Sequence, residues 1–170
     1  MFSFDPTQEY PKQTESRVII RFQDCDPLRH LNNAKYFDYF YNAREDQIAQ
    51  QYGFTPKWAY SQFQCGWVAY NSNISYIRSA TFDEWVRIYS RVVGYDESSM
   101  LLEYVMTNDG GTELKTLLWS TLKYIDIGTG KKAVHQPEIV QIIEAMYDPT
   151  QAVAGLTPQE RIRQLKAGLG

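Results

Sequence analysis

Apolar and polar residues alternate along much of this chain, and the period changes at a few sharp points. Val18, Ile20 and Phe22 alternate with Ile19 and Arg21, which predicts a first strand. From Ala34 to about Tyr52 the spacing is helical: Phe37, Phe40, Arg44 and Ile48 share one side, with Tyr36, Ala43 and Gln47 close by. Asn33 stands where a helix cap is expected, and Gly53 where a helix stops.

Period-two alternation then returns four times. Val68, Tyr70, Ser72, Ile74 and Tyr76 are expected on one face of a strand over 67–77. A second strand over 85–93 groups Val86, Ile88 and Val92; a third over 99–107 groups Leu102, Tyr104 and Met106. Asn108-Asp109-Gly110-Gly111 is a hairpin turn, and a long strand over 112–125 ends at the turn of Asp126 to Lys132. Strands joined by short turns pair antiparallel. Ile139, Ile142, Ile143 and Met146 then predict an amphipathic helix. Thr157-Pro158-Gln159-Glu160 opens a last helix with a capping box. Besides Leu169 it has only Ile162 and Leu165 as apolar anchors, so it is expected to fray or to pack on a partner subunit.

The order is strand, long helix, four strands, helical additions: an α+β domain in which one buried helix lies against a curved antiparallel sheet. The chain divides into a loose polar arm over 1–15, the main domain over 16–150 and a C-terminal helical extension over 151–170. Its 170 residues suffice for one domain.

Composition narrows the function. A net charge of −3 argues against a nucleic-acid partner. No run of about 18 apolar residues is present, so no membrane partner is expected. The N-terminus lacks the basic-then-apolar pattern of a signal peptide. Two cysteines form no disulfide framework, and a reducing, cytoplasmic location is expected. Cys25, Cys65, His30 and His135 are too scattered for a structural zinc site. Aromatic residues reach 15%, more than most cores need, which leaves a ring-lined groove open as a reading.

The chemistry concentrates in RFQDCDPLRHLNNAKYFDYFYNAR, residues 21–44. Two acids, Asp24 and Asp26, precede a polar turn carrying His30, Asn32 and Asn33, and then the aromatic helix. A carboxylate offers a base or a nucleophile. A helix N-terminus offers free N–H donors and a positive dipole end. Taken alone, Asp before Pro is as readily a turn residue. His30 either meets a substrate, orients Asp26 or fixes the turn. Arg44 is expected to pair with an acid near the helix, Asp24 being the candidate.

Asp24-Cys25-Asp26-Pro27, His30-Leu31-Asn32-Asn33-Ala34, Tyr36 and Ala43-Arg44 together resemble the hotdog-fold acyl-CoA thioesterases of the 4-hydroxybenzoyl-CoA thioesterase type. The element order fits that family from about residue 15 to 143. The resemblance implies a long helix wrapped by a sheet of about five strands and hydrolysis of an acyl-CoA to a carboxylic acid and CoA. It implies Asp26 as catalytic carboxylate, a helix amide at or near Asn33 as carbonyl-polarising donor, and a site between subunits of a homodimer or homotetramer. No metal or redox cofactor is implied, and coenzyme A is part of the substrate. His30, Asn73, Arg78 and Lys131 are the candidates for substrate contact. Two alternatives share the fold: an enoyl-thioester hydratase or dehydratase using Asp26 with His30, and a non-catalytic acyl-thioester binder.

Overall fold

The computed structural model describes residues 4–169. Five strands form one antiparallel sheet in the order β1-β3-β4-β5-β2: β1 is Gln13–Ile19, β2 Cys65–Tyr76, β3 Trp85–Tyr95, β4 Ser99–Asn108 and β5 Leu114–Asp126. Helix α1, Lys35–Gln47, lies across one face. It continues as a π-turn over Ile48–Tyr52 and stops at Gly53, whose φ of 79° is the left-handed cap that glycine adopts without strain. This is the hotdog arrangement.

The core sits where the expected faces meet. Ile88 pairs with Met106, Val92 with Leu102 and Tyr104 with Leu118, all buried beneath Tyr36 and Phe40 of α1. The hairpin turn holds at Gly111, with φ 69°. Helix α3, Pro137–Met146, buries Ile139, Ile142, Ile143 and Met146 as its spacing predicts.

Four features depart from the sequence reading. The first strand is Gln13–Ile19, so Phe22 lies beyond it, in a 3-10 turn and 76% exposed. β1 is an edge strand laddered to β3 from Gln13–Arg91 to Ile19–Trp85, and its exposed positions carry charge: Arg17 on Asp109 at 2.7 Å and Arg87 on Glu15. Polar edges of this kind carry no alternation to read. Second, residues 4–12, though mostly exposed, are anchored at two rings. Tyr10 is buried, Phe4 stacks on it, and Tyr52 donates its hydroxyl to the Pro11 carbonyl at 2.7 Å. Third, a short helix, α2 over Pro56–Phe63, fills the stretch before β2.

Fourth, β2 carries a bulge at Tyr70, between the Ala69–Leu122 and Asn71–Thr121 pairs. A bulge exchanges the faces of a strand. Trp67 and Ala69 therefore share the α1 side with Ser72, Ile74 and Tyr76, and Val68 does not. Tyr41 of α1 reaches Ser72 and Ser120 with its hydroxyl, and Tyr36 meets the Tyr76 ring.

Helix α4, Pro158–Gly168, has the predicted capping box. It docks on its own chain, on the outer face of the sheet, where Ile162, Leu165 and Leu169 meet Val105, Leu114 and Leu117. Its main anchor is polar. Arg161 holds fully buried Glu103 through Nε at 2.8 Å and Nη2 at 2.9 Å, beside Arg91 and Trp119. No helix among the described residues is long and apolar enough to cross a membrane.

Candidate active site

The two acids take different places. Asp24 is tied into the fold. Its carboxylate accepts from the Tyr39 hydroxyl at 2.9 Å and lies 3.8 Å from Lys35 Nζ, and its carbonyl accepts from Asn32 N–H. Burial first, with the Asp24 bond added, pushes the Tyr39 phenol up to about 12. Arg44 does not pair with Asp24, because its side chain points into the core below the other end of the helix. There it meets the hydroxyls of Thr14 and Ser90.

Asp26 begins a tight turn. Its backbone N–H bonds the His30 carbonyl at 2.8 Å, its carbonyl accepts from Arg29, and Arg29 has φ 64°. Oδ1 accepts from the N–H groups of Leu28 at 2.9 Å and His30 at 3.0 Å. Oδ2 has no partner among the described residues. The carboxylate is thus held by one oxygen, with the other free, at a cleft of about 450 Å³ lined by Phe22, Gln23, Cys25, Asp26, Pro27, Arg29 and Phe82. Phe22 and Phe82 meet edge-on at 5.6 Å, and both are exposed.

The other candidates fall as follows. His30 contributes its backbone to the turn, pairing also with Thr81, and its ring makes no hydrogen bond among the described residues. Neither asparagine caps α1: Ala34 stands at the cap position with no side-chain cap bond, and Asn32 Oδ1 accepts from Ala34 N–H at 3.0 Å in the turn just before the helix. Asn33 loses the expected role because the helix begins at Lys35, one residue late, which moves the cap position to Ala34. Asn33 is exposed, its carbonyl is fixed by the Tyr76 hydroxyl at 2.8 Å, and its own N–H has no acceptor among the described residues. The Asp26 cleft within one chain does not include Asn33.

Asn73 pairs with Trp119 on the face of β2 turned away from α1. Arg78 follows β2 and engages Glu113 at 3.3 Å. Lys131 is exposed in the turn after β5, beside Asp126, which pairs with the Cys65 end of β2. Asn33 stands at the Tyr76 end. A strand rises about 3.3 Å per residue, so within one chain Lys131 and Asn33 are separated by nearly the whole length of β2. Cys25 is poorly suited as a nucleophile: burial, then the charges of Asp24 and Asp26, push its thiol up. His135 is structural, bonded to Trp67 at 3.2 Å and to the Asp96 carbonyl, with burial holding it below the usual histidine value.

Residues 20–143 match the sequence model of the thioesterase-like superfamily, and the chain belongs to that family. Its class is thioester hydrolase. Among curated proteins it is 25% identical over 132 residues to the long-chain acyl-CoA thioesterase FadM of Escherichia coli (strain K12), covering 78% of this chain and 98% of that one. A thioesterase from Thermus thermophilus, solved with coenzyme A and Zn, is 27% identical, with TM-score 0.65, over 78% of this chain and 92% of that one. The fold also matches YbaW, a probable thioesterase from Escherichia coli, at TM-score 0.69 and 24% identity, over 79% and 99% of the two chains.

Proposed function

We propose that this chain hydrolyses acyl-CoA thioesters to a carboxylic acid and CoA, with Asp26 as general base or nucleophile. The observation that carries the reading is the state of the Asp26 carboxylate, anchored by Oδ1 to two loop amides and free at Oδ2 beside a ring-lined cleft. The FadM relative supports acyl-CoA as the substrate class, and the coenzyme A in the Thermus thermophilus neighbour supports the carrier. A thiolate leaves a thioester readily, so the reaction needs an activated oxygen and a donor for the oxyanion. The unpaired Asn33 N–H at the opening of α1 is our candidate donor, and a fixed backbone dipole suits that role. The two cysteines are free, which suits a reducing compartment such as the cytoplasm.

Thiol release measured with short-chain, long-chain and aromatic acyl-CoAs tests the reading. Release of free thiol from at least one of them is expected. Water addition to crotonyl-CoA without thiol release, or tight binding with no turnover, contradicts it.

We propose further that two copies complete the site. β2 is a sheet edge with Val68 43% and Tyr70 73% exposed, and an open apolar edge invites pairing. Antiparallel pairing of two β2 edges brings the Lys131 end of one copy beside the Asp26 and Asn33 end of the other. Lys131 and Arg78 then become candidates for the phosphates of coenzyme A, and His30 borders the acyl end. Asn73, exposed on the outer face, is a candidate for contact with substrate held by another copy. Sedimentation analysis is expected to show a dimer or tetramer. Tyr70→Lys, which replaces the ring lying 5.5 Å from Lys123 Nζ with a like charge, is expected to weaken it. A fully active monomer contradicts the split site.

We propose no metal in this chemistry, which Asp26 and backbone donors can carry. Among the described residues no three His, Cys, Asp or Glu side chains are grouped to hold one. Turnover is expected to be unchanged by EDTA, and its loss contradicts this part of the reading.

A further inference from the structure

A second cavity, of about 510 Å³, opens under the C-terminal half of α1, between α2, α3 and the sheet. Ile48, Leu102, Leu122, Ile139, Ile143 and Met146 make much of its wall. Its volume falls in the roughly 300–1,000 Å³ of small-molecule sites. It shares no lining residue with the Asp26 cleft.

Three charged side chains line it, and of these Glu45 and Lys57 are exposed and only Arg44 is buried. Arg44 is only 5% exposed and has no carboxylate partner among the described residues. Its Nη1 donates to Thr14 Oγ1 at 3.3 Å and Ser90 Oγ at 3.2 Å, which fixes the guanidinium plane. The Nε–Nη2 edge is left almost bare. Among the described residues Nε has no hydrogen-bond partner, and Nη2 has only Met146 Sδ at 3.6 Å, a weak acceptor. The Tyr52 ring lies 5.5 Å from the guanidinium carbon, and its hydroxyl, which donates to the Pro11 carbonyl, stands close enough to feel the Arg44 charge; as a neutral phenol it supplies no counter-ion. Glu45, at the rim, is exposed and makes no ion pair with Arg44.

A buried cation without a counter-ion is costly. The Nε–Nη2 edge is the one that takes a carboxylate through two parallel bonds. We infer that this cavity binds a free apolar monocarboxylate of the fatty-acid class, its carboxylate on the Nε–Nη2 edge of Arg44 and its chain along the aliphatic wall. The inference stands apart from the role given to Asp26, since it uses a different cavity.

Isothermal titration with decanoate and decanol tests it. Decanoate is expected to bind saturably at one site per chain, and decanol at least about tenfold more weakly, the contrast that charge-assisted bonds give. Arg44→Gln is expected to bring decanoate down to the decanol level. Ile143→Trp, which fills the cavity, is expected to abolish both. Asp26→Asn is expected to bind decanoate as the native chain does. Equal binding of the two probes, no saturable decanoate binding, or a preference that survives Arg44→Gln overturns the inference. Loss of binding in Asp26→Asn overturns it too, by moving the carboxylate to the other cleft. If Arg44→Gln does not fold, the native comparison of the two probes decides. A native chain that binds no decanoate, with a sedimentation that changes in Ile143→Trp, also overturns it, by assigning the cavity to a second copy.

Discussion

Asp26→Asn is expected to lower kcat for acyl-CoA hydrolysis by about 10²–10⁴-fold, the range over which a positioned carboxylate acts. Asparagine is the informative substitution. Its side-chain carbonyl can still accept from the Leu28 and His30 N–H groups that Asp26 Oδ1 now receives. The turn is then kept while the free oxygen loses its charge and basicity. Substrate affinity and the melting temperature are expected to stay near native values, so that the loss falls on the chemical step. Alanine would confound the result, because two loop donors would lose their acceptor. Steady-state kinetics with a thermal melt of each variant check this. Turnover within a few-fold of the native protein removes Asp26 from the reaction.

The largest expected effect on stability is at Glu103. Its side chain is fully buried and holds Arg91 at 2.8 Å, Arg161 at 2.8 and 2.9 Å, and the Trp119 indole at 2.9 Å. Removing one partner of a buried pair leaves an uncompensated charge, at about 3–5 kcal/mol. Glu103→Ala leaves two such arginines and is expected to reach that range, releasing α4 from the sheet. The same network makes stability depend on pH. Burial raises the Glu103 carboxyl, but the Arg161 hydrogen bonds, the Arg91 charge and the Trp119 bond outweigh it and hold the group below the usual glutamate range. An unfolded glutamate titrates near about 4.3. The contribution is therefore complete above that pH and is lost as pH falls through the lower, folded value. Melts from neutral to strongly acid pH are expected to show a steep acid loss, flattened in Glu103→Gln. A flat native profile, or a Glu103→Ala variant of native stability, contradicts the account of how α4 is held.

Much of the fold was legible because burial on one face imposes a period. Ile88 and Val92, Leu102, Tyr104 and Met106, and the Ile139–Met146 stripe all lie where alternation or helical spacing puts them. Legibility failed where something other than an apolar face does the holding. β1 is a charged edge. Residues 4–12 are fixed by single rings and a tyrosine hydroxyl. α4 is anchored by Arg161, which a count of apolar anchors passes over. The Tyr70 bulge is a property of the pairing with β5, which neither strand reveals alone.

The site divides the same way. The spacing of Asp24, Asp26 and the asparagines marks the loop, because such a turn ahead of a helix needs those short polar side chains. Whether an asparagine caps depends on where the helix starts, and the start at Lys35 gives the cap position to Ala34 and leaves Asn32 in the turn before it. In sequence Arg44 reads as half of an ion pair, and only its surroundings show two hydroxyls, a thioether and an open apolar cavity in place of an acid. The distance from Asn33 to Lys131 along β2 is likewise a tertiary fact, and it is the ground on which a second copy is proposed.

A product balance on one acyl-CoA, with native and Asp26→Asn proteins side by side, decides whether Asp26 drives hydrolysis. The native protein is expected to release free CoA thiol and carboxylic acid in equal amounts, and the variant neither above the uncatalysed rate. Thiol and acid appearing at comparable rates from both proteins, or from neither, contradicts it.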